Sequence, residues 1–164
     1  MAKIAITGGT GFIGSHIVEY FKKKEESIHL ITRNHADLRN LDELTAAFSG
    51  FDCVIHNAAM ACDWGRYSDF YENNVQGTIN VINACANNGI KQVILTSSCS
   101  VFGEEDNMDV KNEESPQSSH YPYFLDKIFP CAMNYYRDTK QMAMNNAIMI
   151  AKQKKIDLTI VAPV

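Results

Sequence analysis

A chain of 164 residues, 46% hydrophobic and 21% charged, fits one soluble globular domain with a core of ordinary size. Its formal net charge of −4 gives no basic face for nucleic acid or an anionic membrane, and no apolar run approaches the roughly 20 residues of a membrane helix. The five cysteines form no Cys-x-x-Cys pair and read as reduced thiols of a cytoplasmic protein; the first strand begins too near Met1 to leave room for a signal peptide.

An apolar strand (Ile4, Ala5, Ile6) runs into Thr7-Gly8-Gly9-Thr10-Gly11-Phe12-Ile13-Gly14. A helical stripe of Ile13, Ile17, Tyr20 and Phe21 follows. This strand, glycine loop and helix make a dinucleotide pyrophosphate site. Gly8 permits a sharp turn, Gly11 lets backbone approach the phosphates, and Gly14 lets the helix pack on the strand. The first helical N–H groups, from Phe12 and Ile13 onward, face the anion at the positive end of the helix dipole. Lys22, Lys23 and Lys24 suit that helix's C-terminus.

The second strand reads Ile28 to Thr32. NAD sites usually place a carboxylate at its end to take the adenosine 2′-hydroxyl. Thr32, Arg33 and Asn34 stand there instead, so Arg33 is either a 2′-phosphate ligand, favouring NADP over NAD, or a solvated surface arginine. Asn40 and Glu43 make a capping-box start for a short helix closed by Gly50. Cys53-Val54-Ile55-His56 is a buried strand whose histidine reads as a satisfied strand-end side chain. The small residues of Asn57-Ala58-Ala59 then let backbone lie against a cofactor. A long helix buries Val75, Thr78, Ile79, Ile82 and Ala86, leaves Asn80, Asn83 and Asn87 off the stripe, and ends at Gly89.

A strand through Val93, Ile94 and Leu95 ends in hydroxyls, Thr96-Ser97-Ser98. Tyr136 and Lys140 share one helix face at i and i+4. A lysine ammonium beside a phenol favours phenolate, which lets Tyr136 exchange a proton near neutral pH. Between Gly103 and Tyr135 runs an irregular excursion. Its first half is acidic (Glu104, Glu105, Asp106, Asp109, Glu113, Glu114). Its second half is aromatic and proline-rich, and reads equally as a lid over the substrate or as a packed loop. The helix continues to Lys155, and Ile156 to Val164 is a last strand. Strands alternate with helices, so the fold is a doubly wound α/β parallel sheet with the site at the carboxyl ends of its strands.

The order of these motifs, with glycines spaced Gly8-x-x-Gly11-x-x-Gly14, resembles the extended short-chain dehydrogenase/reductases, the family of NAD-dependent epimerases and dehydratases. The resemblance covers nearly the whole chain and implies one NAD(P)-binding Rossmann domain over residues 1–164. It gives Asp37 and Leu38 the adenine contact, Asn57, Ala58 and Ala59 the turn beside the cofactor, and Asn74 a place holding that side of the site. It makes Ser98, Tyr136 and Lys140 the catalytic set, with Phe102 where a tyrosine is usual and Ala162 where an arginine is usual. Asp63-Trp64-Gly65 and the Asn-Val-x-Gly-Thr run resemble the branch of 3β-hydroxysteroid dehydrogenases and dihydroflavonol reductases. The implied reaction is hydride transfer between nicotinamide and a secondary alcohol or ketone, on a small-molecule substrate, in a homodimer. A nucleotide-sugar epimerase or dehydratase with bound NAD, and a catalytically silent dinucleotide-binding module, are the competing readings. Family members continue into a substrate-binding lobe, so the resemblance also implies a chain truncated at its C-terminus.

Overall fold

The computed structural model describes residues 2–102, 112 and 114–163. Strands β1 (Lys3–Thr7), β2 (Ser27–Ile31), β3 (Cys53–His56), β4 (Gln92–Thr96) and β5 (Asp157–Val161) form one parallel sheet in the order β2-β1-β3-β4-β5. Parallel neighbours need long crossovers, and each crossover carries a helix. These are α1 (Phe12–Lys23), α2 (Leu41–Ala47), the run of α3 (Tyr67–Phe70) and α4 (Gly77–Asn87) joined by a π-helical turn (Tyr71–Gln76), and α5 (Ala132–Lys154). Among the described residues, β2 is the edge of the sheet on that side.

Alternation along the strands separates two cores. Ile4, Ile6, Cys53 and Ile55 face α1, which buries Val18 against them. Ala5, Val54, Val93 and Leu95 face α2, α4 and α5, together with Leu44, Phe48, Val81, Ile82 and Ala147. α1 therefore buries a narrower stripe than its sequence suggests: Ile13 and Tyr20 are exposed, and Ile13 turns to the cavity described below.

α4 departs from its expected stripe in the other direction. It is wedged between α2 and α5 over the sheet, so it buries Val81, Ala84 and Cys85 as well as Thr78 and Ile82. Asn80 is buried too, because its amide donates to the Leu38 carbonyl at 2.9 Å and its oxygen accepts from Gln76. The N-cap half of the capping box is present, with Asn40 Oδ1 accepting from the N–H groups of Asp42 and Glu43, but Glu43 accepts from the Asn40 side-chain Nδ2, and the Asn40 backbone N–H donates to Asp37 O instead. α2 ends at Ala47 with Phe48 as its C-cap, however, and Gly50 (φ +78°) belongs to the turn beyond it.

The acidic residues Glu104, Glu105, Asp106, Asp109 and Glu113 lie outside the described residues. The aromatic half of the excursion, residues 116–130, lies outside the cavity wall. It packs along α5 and leaves Phe124 98% exposed. Among the described residues, no helix is long and apolar enough to cross a membrane.

His56 is 1% exposed at the end of β3, with Nδ1 2.7 Å from Thr7 Oγ1 and Nε2 3.1 Å from Thr78 Oγ1. Burial, helped by the charge of Lys140, pushes its pKa down to about 3. The unfolded chain, titrating near about 6.5, therefore takes up the proton first, so this contribution to stability is intact above that pH and falls as the pH drops toward 3. Urea unfolding should show wild type more stable than His56→Gln at pH 7 by about 1–2 kcal/mol, with the gap narrowing as pH falls below about 6. A gap independent of pH would show that the ring takes up its proton as readily in the fold as in the unfolded chain.

Candidate active site

The order of the strands reverses between β1 and β3, and at their carboxyl ends a cavity of about 990 Å³ opens. Its floor is the glycine loop. Gly8 has φ +68°, and a Cβ there would lie 2.6 Å from the Ala58 backbone. The first loop and the β3 loop thus touch backbone to backbone. At Gly14 a Cβ would meet the Gly8 carbonyl oxygen at 2.1 Å, so this glycine packs α1 on the loop itself rather than on the strand. Gly11 differs: a Cβ would meet only Gly8 O, at 3.4 Å, so the neighbouring backbone does not demand a glycine there. Its open side is the cavity. Gly11 offers no side-chain cap and the first turn of α1 holds no carboxylate, which leaves the helix terminus suited to an anion.

Along one wall stand Arg33, exposed, with Asp37 and Leu38. The Asp37 carboxylate is engaged by Arg39, whose Nη2 lies at 2.6 Å and Nε at 3.0 Å, and this holds its pKa down at about 2. Arg39 reaches Glu72 as well, at 3.6 Å. Asp37 thus meets the cavity as one side of an ion pair rather than as a free acceptor. On the opposite wall Asn57 reaches Gly8 O with its amide at 3.4 Å, while its buried Oδ1 has no partner among the described residues. Ala58 and Ala59 line the cavity beside it, as their small size suggests.

Ser98, Tyr136 and Lys140 all reach the same cavity. The helical i, i+4 spacing sets the last two on one face of α5, and the end of β4 brings Ser98 up to them. Lys140 is 5% exposed and its Nζ donates to Thr96 O at 2.7 Å, tying α5 to β4. Burial pushes its pKa down to about 8. Burial also raises the Tyr136 phenol above its ordinary value; the Ser98 hydroxyl partly offsets this and the nearby Cys99 adds to it. Ser98 Oγ is also 2.9 Å from Ser100 Oγ. This corrects the expectation that Lys140 lowers the Tyr136 pKa directly: its amine is committed to a backbone carbonyl, and the phenol remains protonated well above neutrality.

Two expected cofactor residues stand off the cavity wall. Gly14 acts through packing, as above. Asn74 is buried, and its side-chain amide pairs with the Met60 peptide: Oδ1 accepts from Met60 N at 2.7 Å, and Nδ2 donates to Met60 O and to Thr139 Oγ1, each at 3.1 Å. It fixes the Met60–Ala61 edge of the cavity against α5, while its neighbour Asn73 lines the wall. Met60 and Ala61 also line it without having a sequence motif to mark them, and Pro163 lines it from the strand end that resembles the family's Arg-Pro; the signal they share is that each follows a strand end.

Residues 4–163 match the NAD dependent epimerase/dehydratase family, and the chain belongs to it. It is 34% identical over 112 residues to the 2-alkyl-3-oxoalkanoate reductase of Stenotrophomonas maltophilia, covering 60% of this chain and 34% of that protein. It is 31% identical over 157 residues to a UDP-glucose 4-epimerase of Cyamopsis tetragonoloba, covering 77% of this chain and 44% of that protein. The Thermus thermophilus UDP-glucose 4-epimerase in complex with NAD superposes with a TM-score of 0.80 at 21% identity, over 98% of this chain and 54% of that one. The chain thus spans less than half the length of these curated relatives. The likeness to the solved structure confirms the doubly wound parallel fold.

The open Gly11 face, the uncapped helix terminus and the orphaned Asn57 oxygen fit a dinucleotide. Gly14→Ala should lower both thermal stability and dinucleotide affinity, because backbone must move. Gly11→Ala should leave stability within about 1 kcal/mol while weakening dinucleotide binding by roughly tenfold or more. Equal losses of stability would remove the distinction.

Lys140 is a buried cation with no carboxylate partner among the described residues. Its folded pKa of about 8 lies below the unfolded value near about 10.4, so the burial penalty is full below pH 8 and is relieved as pH rises toward 10.4. Lys140→Met should therefore raise the melting temperature of the free protein by a few degrees at about pH 7, less so at about pH 10, and should weaken cofactor binding. A destabilised variant would mean that the bond to Thr96 O outweighs the cost of burial.

Proposed function

We propose that this chain carries the cofactor-binding and proton-handling half of an NAD(P)-dependent oxidoreductase acting on a secondary alcohol or ketone. One observation supports the reading above others: a single cavity has the glycine loop at one part of its wall and Ser98, Tyr136 and Lys140 at another. When bound, a nicotinamide cofactor would supply or accept the hydride. Tyr136 would give or take the proton at its hydroxyl, and Ser98 would hold the reacting oxygen by a hydrogen bond. Lys140, as an ammonium, would hold the cofactor's ribose side and add the positive charge that favours phenolate once it leaves Thr96 O. Phosphates would rest on the N-terminus of α1. Arg33 stands with Thr32 and Asn34 where NAD sites place a carboxylate, which favours a 2′-phosphate and hence NADP.

The epimerase or dehydratase reading has its own support. The Cyamopsis relative, a UDP-glucose 4-epimerase by name, aligns over more of this chain than the reductase does. In that case NAD would be held tightly and Arg33 would be a surface residue.

Parallel titrations with NADPH and NADH, followed by nicotinamide fluorescence, separate the two readings. NADPH binding at least about tenfold tighter (about 1.4 kcal/mol), with the preference lost in Arg33→Ala, supports the NADP-linked reductase. Equal or tighter NADH binding favours the epimerase or dehydratase, and no binding of either overturns both. Adding NAD(P)⁺ should also raise the ultraviolet phenolate signal near neutral pH in wild type but not in Tyr136→Phe. An unchanged signal removes Tyr136 as the acid/base.

A further inference from the structure

Arg137, Asp138 and Thr139, the residues between Tyr136 and Lys140, are not solvated spacers. Arg137 is 8% exposed, with its guanidinium 5.7 Å from the centre of the Tyr121 ring. Thr139 is fully buried against Asn74. Asp138 is gripped from the other side by the segment that precedes α5: Ser119 Oγ donates to Oδ1 at 2.8 Å, and His120 Nδ1 lies 2.8 Å from Oδ2. The second nitrogen of the same ring, Nε2, lies 2.5 Å from Asp126 Oδ2.

Both nitrogens of His120 thus face carboxylate oxygens. A neutral imidazole has one N–H, so its other nitrogen would aim a lone pair at an anion; only the imidazolium donates to both. Two neutral side chains border the cluster. The Asn134 amide nitrogen lies 3.5 Å from Nε2, and Gln141 shares Ser119 Oγ with Asp138. Tyr67, from α3, feels the Asp138 charge and titrates higher for burial and for that charge. Arg137, across Tyr121, is the cation on the α5 side. Asn134 also pairs with the Tyr121 peptide, at 2.9 and 2.8 Å, through bonds that do not depend on pH in this range.

We propose that His120 is a positioning residue: as an imidazolium it clamps segment 119–126 onto α5 through Asp138, midway between Tyr136 and Lys140, and the clamp opens when the ring loses its proton. The inference rests on the reading of Tyr136 and Lys140 as the reactive pair. Hydrogen bonds to Asp126 and then Asp138 raise the His120 pKa above its ordinary value near about 6.5. The clamp is therefore fully present below about pH 6.5 and is lost as pH rises through the higher folded value.

Amide hydrogen exchange read by mass spectrometry on wild type, His120→Gln and Asp126→Asn tests this. Gln keeps one neutral donor for Asp138 but cannot carry the charge. At about pH 6, peptides covering 119–126 and 134–142 should exchange several-fold more slowly in wild type than in His120→Gln, and the gap should close at about pH 9. A peptide from α4 should not differ at either pH. Asp126→Asn keeps the histidine and removes one of its anions, so it should lower the pH at which wild-type protection is lost; this arm stands even if His120→Gln folds poorly. A gap of equal size at both pH values overturns the proposal, as does one confined to 119–126 with 134–142 unmoved. Tyr136→Phe should leave the exchange pattern intact, so failure of the oxidoreductase reading and failure of the clamp are read separately.

Discussion

The site depends on a contact with no room in it. Gly8 and Ala58 meet backbone to backbone, with space for no Cβ on the glycine. That contact brings the loops after β1 and β3 together at the place where the strand order reverses. The crossover helices are then obliged to stand back on either side, and the cavity is what remains between the loops. His56 sits directly beneath, bonding Thr7 on β1 and Thr78 on α4, so the same pair of strands is fastened by a neutral side chain that the interior keeps from charging.

α5 is the second fixed body. It is tied to β4 by Lys140 and Thr96, to the Met60 loop by Thr139 and Asn74, and to the segment before it by Asp138 and His120. These ties run to three different parts of the chain and converge on one helical turn. A long helix packed only by apolar contacts could slide or rotate by small amounts. Directional bonds on several faces prevent this, and the proton transfer proposed for Tyr136 beside Lys140 would need that precision. With no carboxylate partner for Lys140 among the described residues, its burial works against the charged form.

Much of this was legible in the chain. The strand, glycine loop and helix at the start, the i, i+4 pair at Tyr136 and Lys140, and the helix N-cap at Asn40 are local patterns, and each stands where its spacing indicates. Patterns set by long-range packing were less legible. Asn80 looks like a surface residue on a helical wheel and is buried because the Leu38 carbonyl lies opposite. Asp37 looks like a free acceptor until Arg39 folds back on it. Lys140 looks like a direct partner for Tyr136 until the fold sets its amine to donate to Thr96 O.

By itself, then, the sequence determined the element order, the parallel α/β class, the anion-binding turn and the identity of the side chains at the strand ends. Backbone conformation and side-chain periodicity are local properties, and glycine spacing encodes them directly. Only the tertiary structure decided which polar groups are already occupied and which still face the cavity. Hydrogen-bond partners distant in sequence compete for each donor and acceptor, and that competition is settled only when strands and helices are in place. The protonation of His56, Lys140 and His120 belongs to the same class: identical residue types are driven up or down by burial and by the carboxylates that packing sets beside them.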